Sequence, residues 1–150
     1  MYSFYGILEV TIIAIILVLI NVILHYEALN VLSNLLEKIK HAGKARIAIL
    51  ICCLIPVHIL EIWIFAGGII FAGREGTLGH IHGVENQHIL DYVYYSAMTY
   101  TTVGFGDLYP VGSLRFIAAI EALVGLMLIT WSASFTYLEM KQFWNVKKDN

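Results

Sequence analysis

The chain has 150 residues, a formal net charge of −2, 59% hydrophobic residues, 13% charged residues and a mean hydropathy of +0.78. Soluble chains sit nearer half apolar and about a quarter charged, so this composition excludes an ordinary soluble domain. The length leaves room for one compact membrane unit and not for several domains.

A bilayer core of about 30 Å takes about 20 mostly apolar residues per helix. Residues 7–24 meet that need first, interrupted only by Glu9, Thr11 and Asn21. No Lys or Arg precedes Lys38 and no small-residue cleavage site follows, so the stretch reads as a retained helix and not as a signal peptide. Residues 27–44 place Leu29, Leu32, Leu35, Leu36 and Ile39 at helical spacing. This is read as a cytoplasmic extension of the first helix. The alternative is an interfacial helix with Lys38 and Lys40 on anionic lipid.

The second span covers residues 47–71 and carries His58 and Glu61, three apart and so on one helix face. Such pairs occur in helical carboxylate metal sites. Four ligands are needed, however, and His25 and Glu27 fall near the cytoplasmic end of the first span. A polar pair facing another helix is the expected role. Cys52 and Cys53 are adjacent within the span and read as small apolar side chains. Beyond it, His80, His82, Glu85 and His88 form the densest histidine cluster. H-x-H can hold zinc on a strand, although exposed histidines are commonly only solvated.

Residues 88–100 are too short to span and read as a re-entrant helix, buried in protein or lining water. Asp91 suits the positive end of that helix, and the negative end near Tyr100 favours a cation. The run Thr101, Thr102, Val103, Gly104, Phe105, Gly106, Asp107 follows directly. In a soluble protein it would read as a strand with a glycine turn. Between apolar helices, alternating glycines instead suit carbonyls turned toward one axis to replace water around an ion. Thr102 can add its hydroxyl, and Asp107 sets a carboxylate at the far end.

The third span, residues 116–137, contains Glu121, which is costly in a membrane without a partner. Thr99 or Tyr100 hydroxyls, or pore-helix backbone, are the expected partners. Gly125 costs about 1 kcal/mol against Ala in mid-helix, which leaves two reasons for it, a bend or a close backbone approach. Ile129, Ala133 and Tyr137 share its face at helical spacing and are expected to line a cavity, with Tyr137 at the inner mouth. Lys38, Lys40, Lys44 and Arg46 crowd the first loop, and Lys141, Lys147 and Lys148 follow the third span. Only Arg74 lies between the second span and the glycine run, so the N-terminus is expected outside and the C-terminus in the cytoplasm.

The seven-residue run between two apolar helices closely resembles the potassium-channel signature filter, with Phe105 where the commonest version has Tyr. Over roughly its C-terminal half the chain resembles small prokaryotic-type potassium channels of the pore-loop, two-transmembrane family, with one extra N-terminal helix. The resemblance implies an all-α integral membrane fold of three transmembrane helices, a re-entrant pore helix and a filter, assembled as a homotetramer. It implies ion-binding roles for Thr102, Val103, Gly104, Phe105 and Gly106, and filter support from Tyr94, Tyr95, Asp107 and Glu121. Gly125 falls at the family's gating hinge. In the family an aromatic cuff bonds the filter tyrosine or the aspartate after it. Phe105 has no hydroxyl, so packing on Tyr95 is expected to replace part of that brace.

The expected division is 1–46 for the extra helix and linker, 47–140 for the pore domain and 141–150 for a short cytoplasmic tail. The expected function is passive potassium conduction across the cell membrane. It needs no enzymatic chemistry, no cofactor beyond K+ as permeant ion and no nucleic acid; lipids and an unidentified regulatory partner complete the set. The rival readings are a metal-dependent membrane enzyme or redox subunit using His58 and Glu61, and the pore subunit of a potassium transporter. Transporters of that kind carry several degraded filter loops in one chain, whereas this chain carries one intact loop.

Overall fold

The computed structural model describes residues 4–39, 45–74, 76–84 and 88–146. In chain order these form α1 (Phe4–Lys38), α2 (Ala45–Gly73), β1 (Gly79–His82), α3 (Ile89–Tyr100), β2 (Tyr109–Gly112) and α4 (Leu114–Val146). Three helices are long and apolar enough to cross a membrane, over Tyr5–Lys38, Ala45–Gly73 and Leu114–Lys141. The fourth, α3, is the short one that the glycine run follows.

As the spacing of its leucines predicts, the first helix continues past the apolar stretch and runs unbroken to Lys38. Its distal half earns its helicity by packing, because Leu29, Leu32 and Leu36 bury against Leu50 and Leu54 of α2. It is therefore an extension of the first span, folded onto the protein. Lys40 and Lys44 lie outside the described residues. The proximal half buries Val10, Ala14 and Leu17 in the main core and leaves Ile12, Ile15, Ile16, Leu19 and Ile23 exposed, an outward apolar face suited to lipid. At the opposite end of the bundle from the glycine run, Arg46 of α2 pairs with Glu139 of α4 at 2.5 Å.

The short helix α3 sits against α2 and α4, and its Tyr95 and Tyr100 join Phe65, Ile69, Ile117 and Leu128 in one core. A two-stranded antiparallel sheet, absent from the sequence expectations, pairs Gly79 with Gly112 and His82 with Tyr109. Only Ile81 of β1 is buried, so four residues carried too little alternation to announce a strand. His80 and His82 fall on one strand face, and the His82 ring lies 4.7 Å from the Tyr109 ring. These histidines do not gather with His88 into a ligand group among the described residues. Glu75, Glu85, Lys147 and Lys148 lie outside them.

Candidate ion-conducting site

The last turn of α3 folds the chain back over itself. Thr101 N–H donates to the Ala97 carbonyl at 3.1 Å, Thr102 N–H to Thr99 at 2.9 Å and Gly104 N–H to Met98 at 3.1 Å. From there φ alternates in sign. Thr102, Gly104 and Gly106 have φ of 60°, 54° and 82°, while Val103 and Phe105 between them are not positive. An ordinary strand points successive carbonyls to opposite edges. Alternating handedness instead gathers N–H groups on one side and leaves the carbonyls on the other. Glycine takes the positive φ at no steric cost at two of the three positions. Thr102 is the one non-glycine residue with positive φ among the described residues. A β-branched side chain in that region is a true outlier costing about 1–3 kcal/mol, and such strain concentrates at functional positions.

Every residue from Thr101 to Asp107 is exposed in the single chain, including Phe105 at 71% and Val103 at 54%. Phe105 is therefore not covered by its own Tyr95, which is buried in the core with Tyr100. The expected ring packing of Phe105 on Tyr95 does not form within the chain. Tyr94 of α3 instead stands beside Asp107, the two lining one small pocket with Gly104 and Gly106.

Behind the run, α4 presses on α3 through Gly125. A Cβ at that position would fall onto the carbonyl oxygen of Tyr100, so the two backbones meet where only glycine fits. The close-approach reason for Gly125 is thus present. One turn above, Glu121 is fully buried and takes its hydrogen bond from Ser96 of α3, whose hydroxyl also lies 2.9 Å from the Ile62 carbonyl. Neither expected hydroxyl, Thr99 or Tyr100, is the partner. Ser96 lies one turn earlier on α3, and Tyr100 turns instead to Glu61 at 2.5 Å. Ile129, Ala133 and Tyr137 form an exposed stripe down α4.

His58 and Glu61 do share a face, but they are not alone. Because α1 continues past residue 24, His25 lies in mid-helix and reaches Glu61 at 2.8 Å, fully buried. The sequence reading set His25 aside as lying near the cytoplasmic end of the first span, yet it joins the pair, and Glu27 is not part of the group. Ser132 of α4 closes the set from below. No sequence signal pointed to Ser96 or Ser132, since lone serines in apolar helices carry no periodic pattern.

A family model described as an ion channel matches residues 57–140, more than half of the chain. Neither a curated protein nor a solved structure matches it.

Proposed function

Because the chain belongs to the two-transmembrane ion channel family, we propose that it is a potassium-selective channel, four copies of which place the run Thr102–Gly106 around one axis. The alternating φ of that run carries the reading, since it is the backbone pattern that presents successive carbonyls to one side. Thr102 adds its hydroxyl to the lowest ring, and carbonyls from Thr102 to Phe105 form the sites above. The negative end of α3 favours a cation in the cavity below, which Ile129, Ala133 and Tyr137 line. Family membership points to a channel and not to an enzyme.

One strand cannot surround an ion, and the chain has one such run, so cyclic closure of identical copies is the simplest way to complete the cage. The exposure of Val103 and Phe105 supports it, because these apolar groups gain cover only from neighbouring copies. The basic residues Lys38, Arg46 and Lys141 share one end of the helices, which supports a cytoplasmic C-terminus and an outer filter mouth in the cell membrane.

Liposomes holding only this protein are expected to pass potassium far faster than sodium, with barium blocking the flux. Gly104→Asp puts a side chain at a positive-φ position and is expected to abolish the preference. Equal sodium and potassium permeability in the unaltered protein would overturn the proposal. Native mass measurement of the detergent-solubilised protein is expected to find four chains per particle; a conducting monomer or dimer contradicts the assembly.

A further inference from the structure

We propose that His25, His58 and Glu61 bind a divalent transition-metal cation of the zinc class inside the helix bundle, with the Tyr100 hydroxyl as fourth donor. This is independent of which ion the pore selects.

The donors come from three helices and converge. His25 Nδ1 is 2.8 Å from Glu61 Oε1, and His58 Nδ1 is 2.9 Å from Glu61 Oε2. The Tyr100 hydroxyl is 2.5 Å from that same Oε2 and 3.0 Å from His58 Nδ1. In a tetrahedral zinc site with bonds of about 2.0–2.1 Å, neighbouring donors stand about 3.3 Å apart. The two histidine contacts and the His58–Tyr100 contact need to open by about half an ångström or less, and the Tyr100–Glu61 contact by about 0.8 Å. Two imidazoles and a carboxylate are a common zinc donor set, and a hydroxyl fits the position such sites leave open.

The positions of the ring protons favour a metal. The other nitrogen of each ring faces one hydroxyl: Ser132 Oγ lies 3.1 Å from His58 Nε2 and 3.3 Å from His25 Nε2. Without a metal, both Nδ1 atoms must carry protons to meet the ionised carboxylate. Both Nε2 atoms of neutral rings would then be acceptors, yet Ser132 has one proton to give. One of the two Nε2 atoms would then be left without a donor. With a metal on both Nδ1 atoms, each neutral ring keeps its proton on Nε2. The two lone pairs of the Ser132 oxygen accept both. That is the outer-sphere arrangement ligating histidines usually have, in which the free ring N–H is held by a fixed acceptor. His58, whose side chain is 20% exposed, offers the way in.

Metal content tests this without any flux measurement. The full-length protein, purified from zinc-supplemented cells without chelator, is expected to hold one zinc per chain by elemental mass spectrometry. Stripped and reloaded with Co2+, it is expected to show the intense visible bands of tetrahedral cobalt. His25→Gln and Glu61→Gln are expected to lose the metal while eluting as the parent oligomer. Ser132→Ala, which removes an acceptor and no ligand, should weaken zinc about 10- to 100-fold. Failure of the parent protein to retain zinc after loading and desalting, or a weak octahedral cobalt spectrum, overturns the proposal. So does full metal content in a folded His25→Gln variant. Should the variants not fold, the parent's stoichiometry and spectrum decide.

Discussion

Replacing Gly125 by alanine is expected to abolish selective conduction and to lower the stability of the assembled protein by about 1–3 kcal/mol, the range of core overpacking. The clash is with a carbonyl oxygen of Tyr100, and backbone cannot rotate away as a side-chain tip can. Tyr100 ends α3 and directly precedes the run Thr101–Asp107, so any shift forced on it moves the whole run. The result separates two roles for this glycine. If close approach is its reason, Gly125→Ala lowers the melting temperature in detergent and erases the preference for potassium over sodium. If a gating bend is its reason, the melt is unchanged and only the fraction of time open differs. A parent-like melting curve would remove the packing account.

Glu61→Leu is expected to be still more damaging. The carboxylate meets His25, His58 and Tyr100 at once, and leucine keeps the volume while removing every acceptor. Breaking one side of a buried charged network typically costs about 3–5 kcal/mol, because the partners stay behind without their bonds. That is a large share of the 5–15 kcal/mol a folded protein has in total. Little protein should reach the membrane or survive extraction. Replacing His25, His58 and Glu61 together by leucine should recover much of that loss, because apolar groups of like shape leave only the Tyr100 and Ser132 hydroxyls to satisfy. Fluorescence-detected size exclusion over a heating series compares the three proteins. A single variant as stable as the parent would show that the network does not hold the helices together.

The three long helices and the short one were legible because each is a long apolar stretch or the segment directly before the glycine run, and hydropathy reports both. The handedness at positions 104 and 106 was legible from glycine itself; that at Thr102 was not, since nothing in a threonine announces a positive φ. The continuation of α1 past the first span was legible too, from Leu29, Leu32, Leu35, Leu36 and Ile39 at helical spacing. Hydropathy falls after Leu24, but Leu29, Leu32 and Leu36 continue the helix by burying against protein instead of lipid. What stayed hidden was the level at which His25 meets α2, and with it the group around Glu61. Partners such as Ser96 and Ser132 are fixed by how helices rotate against one another, which no local pattern encodes.

The pairing of β1 with β2 makes residues 83–108 a lasso tied at its neck by His82 and Tyr109. Between Asp107 and β2 stands only Leu108, so a residue inserted there would push the glycine run out of step with its anchor. Insertions and deletions among natural variants should therefore avoid Leu108.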